Sequence, residues 1–416
     1  MKRLVSLLAL LALAPAANAA EQGLARPDFL PADTQIMTAL EASPSVAEAR
    51  AMLGAAGAEA RVLAAGDHEL SMATTLDQRR IRGAGDYSEW SVQLSRGLRT
   101  PGKRLMDMKA GEAGVGAARD GVEDAVHQAS LQLADLWVAW LEAEARANLD
   151  RAEVATYARD VAGLKRRVAL KDAAPLDLQQ AEAALARALA QAAETEGLAA
   201  ARRAELDAGF PGLAPPNPPG LSAPQTPHRP FEAWRTLIPE RSHEIHIARL
   251  LADRQGYLAR RARLDRMPDP TLGLRTFNER GGEETGFGLT LSVPLGVARR
   301  SATADRQAAE AAAAEARWAR MVREVGRIAE TDVIAARSGL AAWKEAATAA
   351  QATEVSGGRI QRAYELGERD LADLLVARRQ TFEAQRQELA ARARANAALL
   401  KLALDAHELW LQEDHE

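Results

Sequence analysis

Residues 268–301 read PDPTLGLRTFNERGGEETGFGLTLSVPLGVARRS. In the second half of this stretch Phe287, Leu289, Leu291, Val293 and Leu295 alternate with Gly286, Gly288, Thr290, Ser292 and Pro294. A period of two gives a strand with one apolar face and one small or polar face. Its length matches the ~9–11 residues of a tilted strand crossing a bilayer. Gly281-Gly282, with charges around it, reads as the loop of a hairpin. One copy of this pattern would equally suit a soluble hairpin on a helical protein.

The pattern occurs twice. Residues 70–98 read LSMATTLDQRRIRGAGDYSEWSVQLSRGL, and Trp90, Val92 and Leu94 alternate with Ser91, Gln93 and Ser95. Leu94-Ser95 falls opposite Leu291-Ser292, and Leu98 opposite Leu295. The segments entering the hairpins match as well, DHEL from Asp67 and DPTL from Asp269. The expected strands are 69–76, 87–98, 270–278 and 285–295. Four strands cannot close a barrel, so several chains would have to share one.

The chain has 416 residues, a net charge of −4, 4% aromatic residues and no cysteine. An alanine-rich chain poor in aromatics favours long helices. The charge gives no sign of nucleic-acid binding, and the lack of cysteine excludes disulfides, thiolate metal sites and a lipid-modified N-terminal cysteine. Residues 1–19 have the form of a secretory signal. Lys2 and Arg3 precede the apolar run Leu4 to Leu13, and Ala17-Asn18-Ala19 forms a small-residue cleavage site. No other run approaches the ~20 apolar residues of a membrane helix. If the chain crosses a membrane, it does so with strands.

Residues 20–32 read as a lead-in, and 33–65 as a first helix. The helix expected over about 103–170 carries the clearest heptads. One seam position falls on Val122, Ala129, Leu136, Ala143, Asp150, Tyr157 and Leu164; the other on Val126, Leu133, Trp140, Ala147, Val154, Val161 and Val168. Only Asp150 is not apolar. So long a seven-residue repeat implies a left-handed supercoil, and the helix would be on the order of 100 Å long. Pro175 ends this helical stretch, and 176–208 returns antiparallel to it. Residues 210–230 hold eight of the 18 prolines and read as a linker.

The second half then repeats the first: an entering helix over 231–266, the second hairpin, and helices over 301–366 and 370–410. The seam of the first of these carries Trp318, Val325, Ala329, Ala336, Trp343 and Ala350. The helix–helix turns also correspond, Leu170, Asp172, Asp177, Leu178 and Ala181 matching Leu366, Glu368, Asp373, Leu374 and Ala377. The expected division is therefore 20–209, 210–230 and 231–411, with a tail at 412–416.

Taken together, signal, hairpins, paired long helices, turns and Pro-rich linker resemble the TolC family of outer-membrane efflux channels. The residues that carry the resemblance are PDPTLGL at 268–274, the strand from Gly288 to Leu295 and the turn LGERDLADLLVARR at 366–379. The resemblance implies a mainly α fold with a small β part. Three protomers would share a twelve-stranded barrel in the outer membrane, above a helical tunnel through the periplasm. It further implies a passive conduit docked to a periplasmic adaptor (a membrane fusion protein) and an inner-membrane pump of the resistance–nodulation–division type. PDPTLGL looks most like the branch serving metal-cation pumps. Pro101-Gly102-Lys103-Arg104 and Gly296-Val297-Ala298-Arg299-Arg300 depart from the family's usual patterns after the hairpins.

No GxSxG, phosphate-loop or HExxH motif occurs, so no catalytic residue, cofactor or metal ligand is assigned. His243 and His246 sit one helical turn apart, a spacing that binds metals only with further ligands; a solvated helix face has the same spacing. Asp414-His415-Glu416 reads as a frayed tail. Asp177 and Asp373 are candidates for a pore constriction, because three chains would make two carboxylate rings that attract cations. Equally, each suits the first turn of a helix. Arg378 and Arg379 are candidates to pair with them. By the resemblance, Leu170, Lys171, Asp172, Leu366, Gly367 and Glu368 would meet the adaptor. Trp90, Val92, Leu94, Phe287, Leu289, Leu291 and Val293 are expected to face outer-membrane lipid. Two other readings remain open, the exit channel of a type I protein-secretion system and a periplasmic coiled-coil adaptor.

Overall fold

The computed structural model describes residues 24–216 and 219–410. The signal-peptide expectation at 1–19 and the acidic tail with Asp414-His415-Glu416 lie outside the described residues. The elements are helices α1 (Asp33–Glu41) and α2 (Pro44–Ala65), strands β1 (Leu70–Ile81) and β2 (Gly85–Gly97), and helices α3 (Pro101–Ala169) and α4 (Pro175–Gly209). The same order follows with α5 (Phe231–Arg241), α6 (His243–Leu264), β3 (Thr271–Glu279), β4 (Glu284–Ser292), α7 (Ala298–Glu365) and α8 (Leu371–Asp405). The fold is mostly helical, with one antiparallel sheet of order β1-β2-β3-β4.

Several boundaries differ from the sequence reading, each for a local reason. The helix expected over 33–65 is two helices, because Pro44 lacks an N–H and holds Ser43 extended at ψ 134. The helix expected over 231–266 also breaks, at Ser242. There the Ser242 hydroxyl caps α6 by accepting from the Ile245 N–H at 3.2 Å. Pro175 opens α4 rather than ending α3; the stop signal of α3 is Lys171, at φ 59. β1 runs on to Ile81 because its polar end is paired across the hairpin, Arg80 Nε donating to Asp86 Oδ1 at 2.7 Å. β4 stops at Ser292, two residues before Pro294, which cannot donate to a ladder. Val293 and Leu295 therefore lie past the strand.

The chain forms two compact units. One draws on Met1–Ala39, Ser130–Glu240 and Ala329–Glu416, the other on Leu40–Ala129 and Arg241–Ile328. Each takes segments from both halves of the sequence. In the first unit Trp137 is buried and donates its indole N–H to the Phe29 carbonyl at 3.0 Å, with Trp140 edge-on to it. The Pro-rich segment is held down here rather than hanging free. Arg392 donates to the Leu221 carbonyl at 3.1 Å and Asn396 to the Ser222 carbonyl at 3.0 Å, while Phe210, Leu213 and Leu221 are buried. In the second unit Lys103 is buried at the root of the sheet. Its ammonium donates to Asp269 Oδ1 at 2.9 Å and to the Met267 carbonyl at 2.7 Å, and it lies 3.0 Å from Asp265. A buried ammonium needs such partners, so the residues entering the second hairpin are tied to the start of α3.

Candidate functional site

Two regions carry the residues singled out in the sequence. The first is the sheet. Side chains directly opposite on neighbouring strands share a face. The register joins Met72, Leu94, Leu274 and Leu289 in one row, and Thr74, Val92, Thr276 and Phe287 in the next. Leu76 and Trp90 continue this face toward the turns, and Leu70, Arg96, Leu272 and Leu291 end it at the helical side. Phe287 is 82% exposed, Leu289 78% and Leu76 80%. The other face is mostly polar or small, with Phe277 the exception: Gln93, Arg275 and Gly288 lie in one row, Ser91, Phe277 and Gly286 in the next, and the pairs Asp77–Glu89 and Glu279–Glu284 follow toward the turns. Of the lipid-facing candidates, Trp90, Val92, Leu94, Phe287, Leu289 and Leu291 share the apolar face. Val293 is exposed but lies outside β4.

The second region is the pair of helix–helix turns. Leu170, Lys171 and Asp172 close α3 with the Lys171 N–H on the Val168 carbonyl (3.0 Å) and the Asp172 N–H on the Arg167 carbonyl (2.8 Å). Leu366, Gly367 and Glu368 close α7 identically, Gly367 bonding to Tyr364 (3.0 Å) and Glu368 to Ala363 (2.9 Å). Both are Schellman motifs with a positive φ at the same position, 59 at Lys171 and 78 at Gly367. Leu170 and Leu366 are exposed at the tips. Beneath them Val161, Leu164, Ala181, Leu371 and Leu374 form a small core.

Asp177 and Asp373 occupy the first turns of α4 and α8, where carboxylates favour the helix start. Asp373 accepts from Arg369 at 3.2 Å, and its backbone N–H donates to the Asp370 carboxylate. Arg378 does not pair with either aspartate. Its Nε lies 2.9 Å from Asp160 Oδ2, with both side chains largely buried. Arg379 is exposed beside a cleft of about 230 Å³ whose walls include Glu153, Tyr157, Arg187 and Arg386.

Three charged groupings escaped the sequence reading as groupings. Asp150, the one polar seam residue of α3, is fully buried and accepts from Arg386 Nε of α8 at 2.8 Å; Glu153 is bonded to the same guanidinium. Arg378 and Asp160 link α8 to α3 in the same way. Asp332 and Asp405 share the ammonium of Lys401, 2.8 Å from Asp332 Oδ2. Asp150 was visible as a break in an apolar heptad. The others carry no local signal, because i-to-far pairs of Asp and Arg are common in any charged helix.

The Asp332 cluster makes a pH prediction. Burial, reinforced by Asp405, pushes the Asp332 carboxyl up to about 7. A raised folded-state value gives stability that is complete below the ordinary value of 3.8 and is lost as pH rises through 7. One such carboxyl should make the protein about 1.4 kcal/mol more stable at pH 6 than at pH 8. Asp332→Asn should remove that difference, read as the change in urea midpoint between the two pH values; an unchanged slope would contradict the assignment.

His243 and His246 face carboxylates, 3.2 Å from Glu123 and 3.4 Å from Asp120. Among the described residues no group of three or more such side chains is arranged to hold a metal. No helix among them is long and apolar enough to cross a membrane.

No family model matches the chain, and no curated protein sequence does. Solved structures do. The outer-membrane channel OprN superposes with a TM-score of 0.78 at 15% identity, over 91% of this chain and 90% of that one. The CmeC outer membrane channel of Campylobacter jejuni gives 0.76 at 14% identity, over 94% and 88%. CusC, described with its folding and transmembrane channel formation, gives 0.68 at 14% identity, over 90% and 91%. The match to CusC is no better than the others, so nothing here singles out the metal-cation branch. At these identities the likeness speaks for the fold, and it covers nearly the whole described chain: the architecture is that of the outer-membrane channels, as the resemblance to the TolC family led one to expect.

Proposed function

We propose that the chain is the outer-membrane channel of a tripartite efflux system, exported by its signal peptide and working as a homotrimer. Three copies contribute four strands each to a twelve-stranded barrel, and the long helices of the two repeats line a passive conduit through the periplasm. The observation that carries this reading is the sheet. It exposes a largely apolar face, and among the described residues β1 and β4 each have one edge without a partner strand. In lipid an open edge leaves backbone groups unsatisfied, so the sheet needs copies of itself to close. The two matching turns support the repeat and offer paired docking sites for a periplasmic adaptor, through which an inner-membrane pump is engaged. The cargo favoured by PDPTLGL is a metal cation.

Cross-linking in detergent should give a three-chain limit, and the protein should fractionate with the outer membrane and shift its gel mobility on heating. A stable monomer with full strand content would overturn the assembly. Deleting the gene should lower tolerance to metal cations and leave secreted proteins unchanged; loss of a secreted protein instead would favour the secretion-channel reading.

Asp177 and Asp373 are proposed to ring the narrow end of the conduit while also starting their helices. Crowded carboxylates favour cations over anions. Replacing both by alanine should weaken cation selectivity or raise basal conductance of single channels in planar bilayers. If neither changes, these residues serve only their helices.

A further inference from the structure

At the root of the sheet lies a cleft of about 470 Å³ walled by the end of α2, the end of β2 and the start of α3. Its polar lining is basic: His68, Arg96, Arg99 and Arg104. None of its lining residues is a carboxylate. Arg99 is already committed. It pairs with Asp107 and donates to the Leu63 and Ala64 carbonyls at the C-terminal end of α2. His68 lies 3.1 Å from Asp269 through Nε2. Among the described residues the remaining two guanidiniums have no counter-ion. Among these residues the Arg96 guanidinium donates only to the His68 carbonyl, at 3.2 Å, and the exposed Arg104 side chain makes no hydrogen bond or ion pair.

Position gives the cleft its meaning. Arg96 stands opposite Leu70 and Leu272, in the row that ends the apolar face. One step further along the strands, Met72, Leu94, Leu274 and Leu289 form the next apolar row. Leu98, half exposed, adds apolar surface to the cleft itself. An amphiphile with hydrocarbon chains along the apolar rows would bring its anionic head to Arg96 and Arg104. Guanidiniums bind phosphate through paired N–H donors, and long basic side chains reach from apolar surface to the head-group level.

We propose that this cleft binds the head-group phosphate of an anionic phospholipid in the membrane leaflet facing the helices, with Arg96 and Arg104 as its ligands. The lipid fixes the height of the sheet in the bilayer. This inference rests on the outer-membrane reading above.

The test is native mass spectrometry of the full chain, purified in a mild non-ionic detergent and supplied with phosphatidylglycerol, phosphatidylcholine or inorganic phosphate alone. Phosphatidylglycerol should be retained in preference to phosphatidylcholine. Arg104→Gln and Arg96→Gln should each lower that retention about five-fold, and together about 25-fold, following the contribution of a basic side chain at a membrane surface. Arg104→Gln breaks no described hydrogen bond, so it keeps the test valid if Arg96→Gln disturbs the strand end. Equal retention of both lipids, or retention unchanged in both variants, would overturn the proposal. So would inorganic phosphate binding with the same arginine dependence when phosphatidylglycerol does not compete for it. Heat-shifted gel mobility, read on the same samples, reports the barrel separately. Its absence from the unmodified protein would sink the outer-membrane reading, whereas its persistence in variants that lose the lipid isolates the head-group site.

Discussion

Asp150→Ala is expected to destabilise the protein by roughly 3–5 kcal/mol, the usual effect of removing one partner from a buried ion pair. Asp150 is fully buried in the seam of α3, and Arg386 from α8 retains 15% side-chain exposure. Without Asp150 the guanidinium keeps Glu153, but one largely buried donor loses its acceptor. The stabilising part of the cluster is not its charge as such. Taking three ionised groups out of water opposes their attraction, and burial pushes the Glu153 carboxyl up against the pull of Arg386. Replacing the whole cluster, Asp150→Leu with Glu153→Met and Arg386→Leu, should therefore recover most of the loss. Urea unfolding followed by helical circular dichroism distinguishes the cases. If Asp150→Ala unfolds at the native midpoint, the cluster contributes nothing. If the triple variant is as weak as the single one, packing rather than unpaired charge is the cause.

The same residue shows how far the sequence could be read. Heptads made α3 legible as one long helix, and they marked Asp150 as an anomaly. They could not show what resolves it, because Arg386 is a residue of another helix, 236 positions away. A polar group at a seam position can fix the register of packed helices, at a cost in stability. Here the Asp150 carboxylate meets its partner only when α8 is aligned against α3. The strands were legible for a related reason: alternation is local, so the apolar face of β4 could be read from Phe287, Leu289 and Leu291.

Helix breaks were read less well. Pro44 was in plain sight, but the break at Ser242 rests on a capping hydroxyl in a segment whose apolar periodicity runs through it. Pro175 is the visible breaker after α3, whereas the chain turns earlier, at Lys171. A lysine at positive φ gives little warning there, while glycine at the equivalent Gly367 does. Arg378, a candidate partner for Asp177 and Asp373, reaches Asp160 within the chain instead, since adjacent helices offer partners that a single helix face cannot.

On the outer-membrane reading proposed above, the apolar face of the sheet makes the second large prediction, and it depends on depth. Phe287 lies in the row with Thr74, Val92 and Thr276, near the middle of all four strands. Leu291 shares the row of Arg96 at the helical end. Arginine on the lipid face costs about 2–4 kcal/mol at the bilayer midplane and about 0–1 near the interface. Phe287→Arg should accordingly be severe and Leu291→Arg mild, although both side chains are large, apolar and exposed. Thr290→Arg should also be mild for a different reason. It stands on the opposite face, beside Gly273, where on the same reading the water of the conduit would solvate the charge. Folding into lipid bilayers from urea, followed by heat-shifted gel mobility, reads all three variants. Equal losses at Phe287 and Thr290 would mean that the two faces share one environment. Equal losses at Phe287 and Leu291 would mean that the rows do not run across the bilayer, and the head-group cleft beside Arg96 would then no longer sit at its edge.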